Sequence, residues 1–148
     1  MVFWDTSALL KLYVAEPDSP LFATFAQRGG SLAIAAWTTH EILCGLLRKE
    51  LLRDLKKGGA EAIYQRILQQ IAADALHVVN YTAMVAQRTT EVIRGCYGAR
   101  KPVAIRSLDA LQLGSALASG AIEVVSADAR MRAGANVLNL HVLPASLS

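Results

Sequence analysis

The sequence predicts an α/β fold, a parallel sheet covered on both faces by helices, in a single domain over residues 1–148. Three observations carry that expectation. Short apolar runs alternate with longer helical stretches along the chain, the pattern of parallel strands joined by helical crossovers. A length of 148 residues suits one domain and is short for two. Hydrophobic residues make up 53% and charged residues 18%, enough for a substantial core and no sign of disorder. With aromatics at 6%, that core should consist mainly of Ala, Leu and Val.

Taken in order, Val2-Phe3-Trp4 reads as a short buried strand, followed by a helix from about Ser7 to Val14 that Glu16-Pro17-Asp18 breaks. Ser19-Pro20 is a strong helix start, and that helix runs to the Gly29-Gly30 stop. Leu32-Ala33-Ile34-Ala35 is the second strand. A long helix follows from about Thr39 to Lys56, closed by Lys57-Gly58-Gly59, and another spans about Ala60 to Ala73. Leu76-His77-Val78-Val79 is the third strand and Ala83 to Cys96 the next helix. A loop with Gly, Arg and Pro leads to a helix from about Leu108 to Ser119, stopped by Gly120, and Ile122-Glu123-Val124-Val125 is the fourth strand. After Asp128, a helix to about Leu138, an Asn139 cap and a last strand from Leu140 to Leu143 fit the pattern.

Composition narrows the function classes. No apolar run approaches the roughly 20 residues that span a bilayer, and the N-terminus has no basic stretch ahead of an apolar one, so a signal peptide is not expected. The two cysteines, Cys44 and Cys96, lack metal-type spacing and read as reduced core residues of a cytoplasmic protein. The net charge is +3 and the isoelectric point near 9.1. If metal engages four of the 12 acids, 15 basic residues outnumber the rest, and a polyanion can approach.

Four acids stand out: Asp5, Glu41, Asp109 and Asp128. Each alone has an ordinary reading. Asp5 and Asp128 could cap the helices they precede, Glu41 has capping-box spacing from Thr38, and Asp109 suits a helix first turn. Together they say more. Asp5 and Asp128 follow apolar strands directly, and Glu41 follows the second strand by a few residues. In an open parallel sheet the carboxyl ends of the strands line one crevice, where ligands bind. Leu113 and Ala116 share the helical stripe of Asp109 and turn it inward. Carboxylates gathered there need a cation or protons, and hard oxygen donors suit Mg²⁺ or Mn²⁺.

The stretches that hold these acids resemble a known family. Phe3-Trp4-Asp5-Thr6-Ser7-Ala8-Leu9-Leu10-Lys11-Leu12-Tyr13 looks like the opening of PIN-domain ribonucleases, especially VapC-type toxins. Thr38-Thr39-His40-Glu41-Ile42, Ser107-Leu108-Asp109-Ala110-Leu111-Gln112-Leu113 and Val125-Ser126-Ala127-Asp128-Ala129-Arg130-Met131 resemble the second, third and fourth acidic motifs, in order and with suitable spacing. Asn139 falls where relatives often have Gly. The resemblance implies a three-layer α/β/α sandwich with a central, mostly parallel five-stranded sheet. It also implies metal-dependent endoribonuclease activity, a homodimer, and a small antitoxin protein as the cognate partner.

On that reading water attacks an RNA phosphate with help from one or two Mg²⁺ or Mn²⁺ ions. Asp5 and Asp109 are the expected direct ligands, with Glu41 on metal or a metal water and Asp128 on a second ion or behind the first. Thr6, Ser7 and Ser126 are candidate hydroxyl donors to the carboxylates, Thr6 and Ser7 being equally eligible as helix caps. Arg100, Lys101, Arg106 and Arg130 are the bases best placed for RNA. His77 and His141 read as core or edge residues, Trp4 and Trp37 as packing. His40 and Cys44 flank Glu41 without adding an obvious ligand. The apolar helices between Ser19 and Ile71 could supply a dimer interface. A receiver domain would need an Asp at the third strand, where Val78-Val79-Asn80 stands, and a haloacid-dehalogenase phosphatase an Asp at Ser7. An inactive PIN-fold RNA-binding or scaffold protein, or a solitary RNA-processing nuclease, are the remaining alternatives.

Overall fold

A computed structural model of the chain describes residues 1–147. Its strands are β1 (Val2–Trp4), β2 (Leu32–Ala35), β3 (Leu76–Val79), β4 (Glu123–Val125) and β5 (His141–Leu143). Its helices are α1 (Thr6–Leu10), α2 (Ser19–Ala26), α3 (Thr38–Leu51), α4 (Gly59–Ala72), α5 (Ala83–Gly98), α6 (Ser107–Ala118) and α7 (Ala129–Val137). The five strands form one sheet in the order β3-β2-β1-β4-β5, and every pairing is parallel. The expected "mostly parallel" sheet is therefore wholly parallel. No helix among the described residues is long and apolar enough to cross a membrane.

Successive residues of a strand point to opposite faces, so each strand feeds two cores. Phe3, Ala33, Ala35, Val124 and Val142 pack on one face against Val85 and Val92 of α5, Leu113 of α6 and Met131 of α7. Trp4, Ile34, Val125 and Leu143 pack on the other against Leu9, Phe22, Ile42, Leu46 and Ile67 of α1 to α4. The result is the three-layer sandwich that the resemblance implied. Lys11, at the end of α1, donates to Glu16 at 2.5 Å and Asp18 at 2.8 Å, and Lys49 reaches Glu16 at 3.1 Å, tying the α1–α2 link to α3.

Several boundaries shift. α1 ends at Leu10, and Leu12, Tyr13 and Val14 follow in hydrogen-bonded turns. α3 stops at Leu51, short of Lys56, because Arg53 turns left-handed (φ 65°) and the amides of Asp54 and Leu55 fold back onto the Lys49 carbonyl. Asn139 is also left-handed (φ 57°) and closes α7 as a C-terminal cap, which suits a residue that tolerates this conformation. The core placement of Cys44 is wrong. Ile42 and Leu46, four apart, face the core, so Cys44 between them points outward and is exposed, whereas Cys96 is buried.

α5 and α6 touch backbone to side chain at Gly114. A Cβ there would stand 2.2 Å from Thr89 Oγ1, 2.8 Å from its nitrogen and 2.9 Å from its Cα. Rotating a side chain does not relieve a clash with backbone, so the helices must separate. Gly114→Ala is expected to cost about 1–3 kcal/mol and to lower the melting temperature by several degrees. A scanning calorimetry trace that matches wild type would show that the two helices do not pack this closely.

Candidate active site

β1 is the middle strand, and the chain runs from it to β2 and β3 on one side, with β4 and β5 on the other. The switch point lies between β1 and β4, where ligand crevices form in open parallel sheets. A cleft of about 730 Å³ opens there. Asp5, Thr6, Ser7, Glu41, Arg106, Asp109 and Asp128 all line it, joined by His40, Cys44, Arg48 and Gln112.

Asp5 follows β1, and its amide extends the ladder to the Val125 carbonyl at 3.1 Å. Only 3% of the residue is exposed. Oδ1 caps α1 by accepting from the Ala8 amide at 2.9 Å, and also accepts from Ser7 Oγ at 2.7 Å. Oδ2 accepts from Ser126 Oγ. Burial nevertheless pushes the carboxyl up from 3.8 to about 6, against these hydrogen bonds, with the nearby Asp128 adding to the rise. The same hydroxyls tie β1 to the turn after β4. Ser7 Oγ accepts from the Ala127 amide at 3.0 Å and Ser126 Oγ from the Asp128 amide at 3.1 Å. Ser7 and Ser126 thus each place a hydroxyl on the Asp5 carboxylate.

Asp128 is 37% exposed on its side chain. Its Oδ1 caps α7 through the amides of Arg130 and Met131, both at 2.9 Å, while Oδ2 lies 3.9 Å from Arg106 Nη2. Capping and facing the cleft are therefore compatible, because the two carboxylate oxygens divide them. Glu41 has no part in a capping box: Trp37, at the N-cap position just before α3, makes no side-chain cap. Its Oε2 instead accepts from Thr6 Oγ1 at 2.6 Å and Gln112 Nε2 at 2.7 Å. Thr6 is committed to Glu41 and does not cap α1. Asp109, in the first turn of α6 and 9% exposed, accepts from Arg106 Nε at 3.1 Å.

The four acids surround one cleft without closing on one point. Among the described residues, no group of three or more His, Cys, Asp or Glu side chains stands ready-made around a single ion. Each carboxylate is instead engaged by hydroxyls, amides or a guanidinium. The four acids offer a cation only oxygen donors, the set that suits Mg²⁺ or Mn²⁺. The raised Asp5 carboxyl points the same way, since a buried carboxylate short of positive charge gains most from a divalent ion.

Of the bases singled out in the sequence, only Arg106 lines this cleft. Arg130 borders a neighbouring hollow with Arg106 and Asp128, and Arg100 and Lys101 are exposed in the loop before α6. Arg132 is structural: its guanidinium donates to the carbonyls of Ser126 and Pro144 at 3.0 and 2.7 Å. His77 and His141 lie exposed on the two edge strands. Trp4 is core, whereas Trp37 lines the cleft and meets Tyr81 edge to face at 6.4 Å.

Sequence reasoning missed two residues. Gln112, 3% exposed, donates to Glu41 and, at 3.0 Å, to Thr38 Oγ1. Its signal was its position three residues after Asp109, on the same helical face. Arg48 had the same kind of signal, seven residues and two turns beyond Glu41.

The PIN-domain family model matches residues 2–136. Curated protein sequences yield no match. Among solved structures, the chain is similar to VapBC2 from Rickettsia felis bound to a DNA fragment from their promoter, with a TM-score of 0.67 and 16% identity over 96% of this chain and 97% of that one. It is also similar to a toxin-antitoxin complex from Klebsiella pneumoniae, with a TM-score of 0.62 and 18% identity over 97% of this chain and 96% of that one. At these identities the likeness is one of fold. The family match spans nearly all of the chain, and the chain belongs to the PIN-domain family.

Proposed function

We propose that the protein is a metal-dependent endoribonuclease, the toxin of a toxin–antitoxin pair, with its active site in the cleft at the ends of β1 and β4. The observation that carries this reading is the meeting of Asp5, Glu41, Asp109 and Asp128, far apart in sequence, around one cleft. Membership of the PIN-domain family supports nuclease chemistry, and the likeness to two toxin–antitoxin complexes supports the toxin role.

Asp5 and Asp109 are the direct ligands of Mg²⁺ or Mn²⁺, and Glu41 and Asp128 complete the acidic site. The ion, once bound, supplies an acidified water and offsets charge on the phosphate oxygens. Ser7 and Ser126 fix the Asp5 carboxylate, and Thr6 and Gln112 hold Glu41, so little reorganisation remains for the reaction itself. The cognate antitoxin and a second copy of the chain are the protein partners, in the cytoplasm. Leu47, Leu51 and Leu52, exposed at the end of α3, offer apolar surface to one of them.

The test is cleavage of RNA by the purified chain. EDTA should abolish it, added Mg²⁺ or Mn²⁺ should restore it, and Asp109→Asn should remove it while leaving the folded circular-dichroism spectrum intact. Full activity in that variant, or in EDTA, would overturn the site assignment. For the toxin role, induction should arrest growth, and co-expression of a small neighbouring DNA-binding protein should relieve the arrest.

A further inference from the structure

Arg106 stands in an unusual place for a residue meant only to meet substrate. It sits just before α6 on extended backbone (φ −86°, ψ 160°), and its side chain makes no helix cap. Nε donates to Asp109 Oδ2 at 3.1 Å, and Nη2 lies 3.9 Å from Asp128 Oδ2. One guanidinium thus spans from the start of α6 to the start of α7, across the mouth of the cleft. Asp109 holds it most strongly, then Asp128, with Glu41 adding to the field, and together these raise its already high basicity.

This arrangement conflicts with the proposed metal site. A divalent ion on Asp109 would stand close to the guanidinium that Asp109 Oδ2 already holds, and two cations so close repel, so each weakens the hold of the other. The guanidinium is the one free to leave. Its side chain is 63% exposed, and solvated ion pairs hold weakly. Besides the cleft, Arg106 borders a hollow shared with Asp128 and Arg130 and another shared with Glu41 and Ser107, so it has room on both sides. The planar fork suits a phosphate as well as a carboxylate.

We infer that Arg106 is an exchangeable counter-ion of the acidic site: it neutralises Asp109 and Asp128 until a divalent cation takes those carboxylates, and is then released to the substrate phosphate. Metal binding and readiness for a polyanion are coupled in this way, because the cation that fills the cleft also frees a base beside it. The inference rests on the metal-dependent reading above and deepens it.

The experiment is Mn²⁺ binding to the full chain, followed by electron paramagnetic resonance, for wild type, Arg106→Gln, Arg130→Gln and Asp109→Asn. Removing the competitor should tighten Mn²⁺ binding by about two- to fivefold, the range expected for a solvated ion pair. Arg130→Gln removes an equal charge two residues from Asp128 that makes no ion pair with the acids, and its effect should be clearly smaller. At saturating Mn²⁺, Arg106→Gln should raise KM for RNA more than it lowers kcat. Mn²⁺ affinity in Arg106→Gln that is unchanged or weaker, or matched by Arg130→Gln, would overturn the exchange while leaving the metal site standing, provided Asp109→Asn abolishes binding. If wild type binds no Mn²⁺, the metal reading and the exchange fall together.

Discussion

Asp5→Asn is expected to abolish RNA cleavage and, in the absence of divalent metal, to make the protein more stable. Activity should fall by well over the roughly 100-fold that loss of an outer partner of a metal ligand costs. The stability change follows from linkage. The Asp5 carboxyl moves from 3.8 to about 6 on folding, mainly through burial, so the folded chain holds its proton more tightly than the unfolded one. Its contribution is most favourable below pH 4 and is lost as pH rises through about 6. At neutral pH the charged, buried carboxylate therefore costs up to about 3 kcal/mol, at about 1.4 kcal/mol for each tenfold change in proton affinity. Asn accepts the same hydrogen bonds from Ala8 and Ser7 without the charge. Thermal melts in EDTA should show the variant above wild type at pH 7.5 and close to it at pH 4. A variant that melts lower at pH 7.5 would contradict the picture of a buried carboxylate awaiting a cation. With Mn²⁺ present the order should reverse, because only wild type gains from binding.

Gln112→Leu should be the most damaging change outside the four acids. Leu matches the volume but withdraws the amide from Glu41 Oε2 and Thr38 Oγ1 in a buried setting. Stranding those groups costs about 1–3 kcal/mol of stability. Activity should drop about 10- to 100-fold as Glu41 loses its fixed orientation. Single-turnover kinetics on folded variant check this, and Gln112→Glu adds a second arm by replacing a donor with a fifth acid in the cleft. Wild-type rates in Gln112→Leu would show that Glu41 needs no such support.

The contrast between Asp5 and Gln112 shows what a sequence can disclose. Asp5 is legible because it follows an apolar run directly, and the sheet's own geometry sends strand ends to one edge. Val2–Trp4, Leu32–Ala35 and Leu76–Val79 were legible for the same reason, being apolar segments too short for helices and bounded by turn residues. Gln112 looks like a solvated position on an otherwise apolar helix. Only folding brings it beside residues 6, 38 and 41. Cys44 failed in the opposite direction: an apolar run suggested burial, and the helical phase of Ile42 and Leu46 turned it to the cleft wall. The early end of α3 escaped because Arg53, a good helix former, adopts the left-handed conformation that closes the helix. The sequence singles out the four acids together, and all four line one cleft. Which oxygen caps a helix and which faces the cleft it does not show, since that depends on distances that order alone does not contain.

A crystal grown or soaked with Mn²⁺ shows whether these carboxylates hold a divalent ion. An anomalous difference map should show a peak in contact with carboxylate oxygens of Asp5 and Asp109, with Arg106 turned away from Asp109. A fully occupied Mn²⁺ peak elsewhere, with none between Asp5 and Asp109, would contradict the proposed metal site.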